Sequence, residues 1–468
     1  MSESNLPLPA HGNDAGIMDR EDRLRPEFVE KVLDAVEAGN DATARALVEP
    51  LHPADIADLI ELARADERDG LVAALAGIVD ADVLAEMNEH VRETLIDEME
   101  PQQLADFAGQ LDTDDAVALL EDLEDDEQRA VLRAMEPDDR AAIEEALSYP
   151  QESAGRLMQR DLIAVPEHWT VGQVIDYLRA GDELATDFWE VFVVSPSHKP
   201  IGRCKLSALL RSPRKVRVAD IMLDDQTLIP VSMDQEEVAL RFQKYALISA
   251  AVIDPSGRLV GMITVDDIVH IIQEEAGEDV LLLSGAGDGD INEPVHLTIR
   301  TRLTWLVINL GTAILAAAVV GGFEAEISKL TVLAVLMGII SGMGGNAGTQ
   351  TLAVVVRALA TNQLTSSNTV RMIRRELVIA LANGLALALI TGGGTILIYH
   401  NVPLGLVMGA AMIINNLVAG LSGILIPIAL EKARIDPAVS SAVFVTMMTD
   451  VMGFFSFLGL AQLAGLAG

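Results

Sequence analysis

Residues 446–453 read Thr446-Met-Met-Thr-Asp-Val-Met-Gly453, and Asp450 stands midway along an apolar run reaching roughly from 438 to 465. A run of that length spans a bilayer, for which about 20 apolar residues suffice. A carboxylate at such depth costs on the order of 3 kcal/mol and marks a functional position by default. The bland alternative is a structural hydrogen bond to a neighbouring helix. Thr446 and Thr449 lie one turn and one residue earlier and extend the aspartate into a polar strip. A lone carboxylate is too little to strip a divalent ion of its water. It can hold a hydrated one, which suits Mg²⁺ because that ion sheds water reluctantly.

Four further apolar stretches precede this one, at roughly 303–323, 330–356, 377–399 and 404–430. On these bounds Asp450 is the only carboxylate well inside a span. Arg300 and Arg302 precede the first stretch. Arg357, Arg371, Arg374 and Arg375 separate the second and third, and Lys432 and Arg434 separate the fourth and fifth. Basic residues thus fall on alternate sides, which places the amino-terminal part in the cytoplasm and the carboxyl terminus outside. The chain reads as an integral protein of a bacterial-type inner membrane. Glycines in the third and fourth stretches (Gly392–Gly394, Gly420, Gly423) read as close helix packing. The segment Ser341-Gly-Met-Gly-Gly-Asn-Ala-Gly-Thr-Gln350 adds Asn346, Thr349 and Gln350 to a glycine cluster. Irregular backbone at membrane depth is tolerated only against protein or water, so a pore or ion site is favoured there over plain packing. Gly345, Asn346, Gly348, Thr446 and Thr449 are the expected pore lining.

The chain has 468 residues, with 33 Lys+Arg against 70 Asp+Glu and a net charge of −37. Residues 300–468 carry 9 basic and 6 acidic residues, leaving 24 and 64 in residues 1–299. So acidic a front excludes nucleic acid as its partner, repels anionic lipid and attracts cations. The single cysteine, Cys204, excludes a disulfide framework or a cysteine zinc site. The first thirty residues lack an apolar segment, so no cleavable signal peptide is expected. No nucleophile–base pair, Walker loop or metal-hydrolase motif is present, which points away from an enzyme.

Residues 28–148 read as short helices in series, in a superhelical arrangement. Leu51-His-Pro-Ala-Asp, Met99-Glu-Pro-Gln-Gln and Met135-Glu-Pro-Asp-Asp each set proline at a first turn, followed by acidic and then apolar residues. Residues 149–270 hold an internal repeat. Val191-Phe-Val-Val-Ser-Pro-Ser-His-Lys-Pro-Ile-Gly202 aligns with Ala250-Ala-Val-Ile-Asp-Pro-Ser-Gly-Arg-Leu-Val-Gly261 at an offset of 59. Each copy is a strand, turn, strand and helix, preceded by a helix (Thr170–Arg179 or Gln235–Tyr245). The tandem unit looks like a pair of CBS domains, which often bind adenine nucleotides. That family's Gly-x-x-Thr-x-x-Asp signature appears as Gly261, Thr264 and Asp267, and the first copy lacks both Thr and Asp, so one nucleotide site at most is expected. Beyond the repeat, Asp267, Glu274, Glu275, Glu278 and Asp279 crowd a few helical turns. Like charges at this spacing repel, and the segment reads as a cation-sensitive hinge.

Taken in order, these pieces resemble the MgtE family of magnesium channels from about residue 30 onward. The motifs that carry the resemblance are Tyr149-Pro-Gln-Glu-Ser-Ala-Gly-Arg-Leu-Met158, the acidic linker, Arg302 with Trp305, Gly344-Gly-Asn-Ala-Gly-Thr-Gln350, Asp436-Pro-Ala438, and Asp450 with Gly453. The implied fold class is multidomain: an all-α superhelical cytoplasmic domain (28–148) after a disordered tail (1–27), an α/β CBS pair (149–212 and 213–272), a plug helix (273–300), and an all-α five-helix membrane domain (301–468). The resemblance implies a homodimer that takes up Mg²⁺ and is gated by cytoplasmic Mg²⁺, with Co²⁺ or other divalents as further cargo and ATP as a regulatory ligand. The family's pore carboxylate falls on Asp450, and its sensor carboxylates fall on Asp267, Glu275, Glu278 and Asp279, with Asp114 and Asp115 matching less closely. The family usually has Asp where this chain has Ala246 and His270, so weaker inhibition by internal Mg²⁺ is expected. It also has a small-residue–Pro pair where this chain has Ala442-Val443. A carrier driven by H⁺ or Na⁺, and a membrane-anchored CBS sensor, are the competing readings.

Overall fold

The computed structural model describes residues 16–97, 99–180, 188–286, 292–365, 367–439 and 441–466. It divides into two compact units, Met1–Gln273 and Glu274–Gly468. In the first unit, ten helices among the described residues, α1 to α10, lie between Pro26 and Leu147. Four of them open on proline, at Pro26, Pro53, Pro101 and Pro137. Proline has no N–H to lose in a first turn, and it holds the preceding residue extended. The apolar faces gather into two cores, one around Val32, Leu59, Leu71 and Leu84 and one around Leu104, Leu120, Val131 and Ile143. Of the expected disordered tail 1–27, residues 16–27 are folded and residues 1–15 lie outside the described residues. Met18 pairs with Leu24 in an isolated bridge, and Arg25 Nε donates to the Met18 carbonyl at 2.7 Å. Leu24 is buried with Phe28, and Met18 packs against the same core, so a few apolar side chains suffice to fold this polar stretch back.

The repeat forms two three-stranded sheets. The first comprises β1 (Ala164–Pro166), β2 (Glu190–Val194) and β3 (Pro200–Lys205); the second comprises β4 (Leu228–Pro230), β5 (Ser249–Ile253) and β6 (Leu259–Thr264). In each sheet the first strand is parallel and the third antiparallel to the central one. Glu190↔Lys205 and Ser249↔Thr264 are equivalent pairs at the expected offset, with a register shift at the same place in both copies. The two leading strands were not expected, because three residues ending on proline are too short to show alternation. The accompanying helices are α11 (Val171–Ala180), α12 (Leu206–Arg211), α13 (Gln235–Tyr245) and α14 (Val265–Ser284). At the equivalent positions 190 and 249, the Ser249 hydroxyl donates to Glu190 Oε2 at 3.3 Å, and Arg203 Nη1 holds the same carboxylate at 2.6 Å. These bonds tie the two copies together through a buried charge.

The second unit contains α15 (Val295–Gly321), a short α16 (Glu324–Lys329), α17 (Val332–Ala360), α18 (Thr369–Tyr399), α19 (Val402–Lys432) and α20 (Ser441–Leu463). Five of these, all but α16, are long and apolar enough to cross a membrane. Two expectations change here. Residues 341–350 do not depart from helix, because α17 runs through them unbroken. The expected plug helix at 273–300 is not a separate element among the described residues: α14 continues from the second CBS copy to Ser284, residues 287–291 lie outside the described residues, and α15 starts at Val295. Gly285 ends α14 at φ +66°, and a Cβ there would stand 3.1 Å from the Trp305 ring, so both conformation and space call for glycine.

Ala246 caps α13 in the left-handed region, at φ 49° and ψ 51°. A side chain at such a position costs about 1–2 kcal/mol, which glycine avoids while adding entropy to the unfolded chain. Ala246→Gly is expected to stabilise the first unit by about 0.5–1 kcal/mol. Chemical unfolding of the two proteins checks this, and a lower midpoint for the variant would contradict it.

Candidate cation sites

Two sets of carboxylates stand out, one in each unit. In the first unit, α8 (Thr113–Glu121) begins after Asp112 and carries Asp114 and Asp115 in its first turn. Asp267 lies in the first turn of α14, where it accepts the Thr264 hydroxyl at 2.6 Å and Gln159 Nε2 at 3.3 Å. The fold brings these three aspartates into one electrostatic neighbourhood. Burial, and after it Asp267 and Asp115, pushes the Asp114 carboxyl well above the usual carboxylate range. Burial, then Asp267 and Asp112, pushes Asp115 up to about 6. Asp267 is pushed up to about 6, again chiefly by burial, against the opposing pull of the Thr264 hydroxyl. Two helix amino-termini partly offset this charge concentration. Among the described residues no three His, Cys, Asp or Glu side chains converge as a ready ligand shell. A divalent ion placed here would therefore keep water between itself and the carboxylates, as Mg²⁺ commonly does.

Gly261 has a packing reason in this structure. A Cβ there would meet Met158 Sδ at 2.7 Å and the Gln159 carbonyl at 2.9 Å, and Gly202 is hemmed in the same way by Met222 and Leu223. Further along α14, Glu275 and Glu278 follow Asp267 by eight and eleven residues, about 12 and 16 Å up the helix. The side chain of Asp279 lies outside the described residues. Below them, Leu282 and Leu283 pack against Leu352 and Val356 of α17 and Val445 of α20.

In the second unit, Asp450 of α20 is half-buried and accepts the Ser341 hydroxyl of α17 at 2.5 Å. Asn415 of α19 is fully buried, and its Nδ2 donates to the Ile340 carbonyl at 2.8 Å, one residue from Ser341. Gly344 and Gly453 make room for it: a Cβ at Gly453 would stand 2.9 Å from Asn415 Nδ2, and one at Gly344 would overlap the amide. Three helices are thus locked around the Asp450 level by one asparagine and two glycines. On α17, Gly342, Asn346 and Gln350 recur every fourth residue and are all exposed, with Gly345 beside them and open space around it.

The expected pore lining divides accordingly. Gly345 and Asn346 stand on this open face, and Thr446 is half-buried. Gly348 and Thr449 do not line it. Gly348 is buried where a Cβ would press 2.5 Å from Val445, and Thr449 is fully buried, donating to the Thr446 carbonyl at 2.9 Å. The lack of a side chain at 348 lets α17 lie against Val445 and Thr449 of α20. Asp450 is also not the only carboxylate inside the spans among the described residues. Glu376 lies inside α18, 7% exposed, because that helix starts at Thr369 rather than near 377. Hydropathy bounds had placed it one residue outside. The consecutive Asn415-Asn416 in an apolar run was a legible signal for the other missed position.

These features define a polytopic membrane protein with a CBS-containing acidic module, whose spans carry a held carboxylate. A family model described as a divalent cation transporter matches residues 337–460, the intracellular N domain of the same family matches 51–152, and a CBS domain matches 218–274. The magnesium transporter MgtE of Enterococcus faecalis is 33% identical over 68% of this chain and 71% of its own length. That of Bacillus subtilis is 27% identical over 93% of this chain and 97% of its own. Among solved structures, the cytosolic domain of the Mg²⁺ channel MgtE in complex with ATP is 27% identical, with a TM-score of 0.48 over 52% of this chain and 99% of that one. The chain belongs to the MgtE family of magnesium transporters.

Asn415→Leu leaves the Ile340 level without its cross-helix donor. It is expected to destabilise the membrane unit by about 1–3 kcal/mol and to slow ion flux. Thermal unfolding in detergent, read beside flux at matched protein density, checks both, and wild-type values for the two together would refute the locking role.

Proposed function

We propose that this protein conducts Mg²⁺ into the cell as a homodimer, with hydrated ions passing Asp450, and that cytoplasmic Mg²⁺ closes it. The observation that carries the reading is the exposed polar stripe of Gly342, Asn346 and Gln350, which begins next to Ser341, the hydrogen-bond partner of Asp450. Polar groups facing hydrocarbon are costly, so the stripe calls for water or a second copy. Two copies set stripe to stripe would enclose an aqueous path with one aspartate from each. Ser341 orients Asp450 while leaving its second oxygen available to the water shell of an ion. The alternating basic loops support an orientation with the amino-terminal part in the cytoplasm. No covalent chemistry is assigned to any residue, so the protein is read as a transporter and not an enzyme.

Regulation follows from the aspartates of the first unit. Without a divalent ion, Asp114, Asp115 and Asp267 repel one another in a poorly hydrated setting. Mg²⁺ bridging them through water would draw α8 and the start of α14 together. Because α14 continues to Leu282 and Leu283, which pack on α17 and α20, the same helix offers a link to the conducting helices. Glu275, Glu278 and Asp279 extend the sensing charge along it. The absence of Asp at 246 and 270 weakens closure by Mg²⁺. ATP binding at the second CBS copy, through Thr264 and Asp267, would act on the same helix start. That reading draws on the ATP-bound cytosolic domain of the MgtE channel. Co²⁺ and similar divalents are expected as further cargo.

Mg²⁺ entry into proteoliposomes, driven by Mg²⁺ alone, tests the conduit. Wild type should conduct and Asp450→Ala should lose at least tenfold. Flux only on addition of an H⁺ or Na⁺ gradient would favour a coupled carrier instead. For the sensor, Asp267→Asn is expected to shift closure to several-fold higher internal Mg²⁺ without altering the flux of the open state. An unchanged closing concentration would remove Asp267 from the sensor.

A further inference from the structure

The cavity beside Glu376 shares Gln350 with the exposed stripe of α17 but includes neither Asp450 nor any of the sensor aspartates. It has a volume of about 230 Å³ and opens between α17, α18 and α19. Glu376 and Asn416 line it, 7% and 1% exposed, with Thr351 between them. The Thr351 hydroxyl gives Glu376 a long hydrogen bond of 3.5 Å. Asn416 spends its Nδ2 on the Met412 carbonyl at 2.9 Å, and its Oδ1 has no hydrogen-bond partner. Arg375, Gln350 and Asn383 stand on the exposed side of the cavity. Among the described residues Glu376 makes no ion pair, and Arg375, its chain neighbour, lines the exposed side of the cavity without pairing with it.

The buried wall is thus rich in acceptors and short of donors. A carboxylate and an orphaned amide oxygen in an apolar surround are each costly unless a cation or donor meets them. The charge available selects the ion. One carboxylate balances one positive charge. A divalent ion would leave an excess charge in a low-dielectric site whose mouth already carries Arg375. The volume is enough for an ion and part of its water shell. Oxygen donors without nitrogen or sulfur select a hard ion.

We propose that this cavity binds one partly hydrated alkali cation of the Na⁺ class, held by the Glu376 carboxylate with Asn416 Oδ1 and Thr351 Oγ1, at a site separate from Asp450. The ion neutralises the buried carboxylate and braces α17, α18 and α19 against one another.

The test uses the full-length protein in detergent, measuring equilibrium binding of radioactive Na⁺ and thermal unfolding in NaCl against N-methylglucamine chloride at equal ionic strength. Wild type should bind about one Na⁺ per chain and unfold a few degrees higher in NaCl, since a ligand of the native state stabilises it. Glu376→Gln should lose both effects, Asn416→Ala should weaken binding several-fold, and Asp450→Ala should keep both. Wild-type binding and stoichiometry stand without any variant, should Glu376→Gln fail to fold. Absence of Na⁺ binding to wild type, full binding in Glu376→Gln, or displacement by Mg²⁺ at far lower concentration than by K⁺ would each overturn the proposal. Loss of Mg²⁺ flux through Asp450 is read separately and has no bearing on these outcomes.

Discussion

A carboxylate inside a bilayer must be hydrated or hydrogen-bonded, and the membrane half of this protein is organised around meeting that demand at Asp450. Ser341 supplies the hydrogen bond from the neighbouring helix. Ser341 in turn is placed by the backbone that Asn415 grips at Ile340, and Asn415 fits only because residues 344 and 453 are glycines. The glycine-rich segment that seemed built to break a helix is therefore built to let three helices meet. What remains for the open face of α17 is polar and unsuited to lipid.

A second, opposite constraint acts in the first unit. There the fold gathers charge rather than isolating it: Asp114, Asp115 and Asp267 share one partly buried neighbourhood, at the starts of two helices. Burial of like charge is unfavourable without a counter-ion, so the arrangement is primed for cations. Helix α14 leads from this charge to leucines packed on α17 and α20. On the proposed reading this unbroken helix is the element that would couple Asp267 to the spans.

Much of this was legible in the residues, because the signals were strong and local. Five long apolar runs, proline-headed helices and a repeat with an offset of 59 need no tertiary information to read. Asp450 was legible for the same reason, a charge in an apolar run. The misreadings share another cause: they turn on which face of a helix meets a neighbour. Gly348 and Thr449 are polar or small like Gly345, and only packing separates buried from open positions. Glu376 fell outside its span because arginines at 371, 374 and 375 masked the start of α18. The strands β1 and β4 carry too few residues for periodicity to register. The approach of α8 to α14 joins residues about 150 positions apart, a distance no local pattern bridges.

The central claim is that Asp450 passes Mg²⁺ with its water attached. Hexaamminecobalt(III) has the octahedral shape and nearly the size of hydrated Mg²⁺, with one more positive charge, but does not exchange its ligands. Added on the external side of proteoliposomes, it should compete at the Asp450 level and block Mg²⁺ entry through the wild-type protein in a concentration-dependent way. Mg²⁺ flux that is indifferent to saturating hexaamminecobalt(III) would mean the ion is stripped of water in transit, and the account of a lone carboxylate holding a hydrated ion would be wrong.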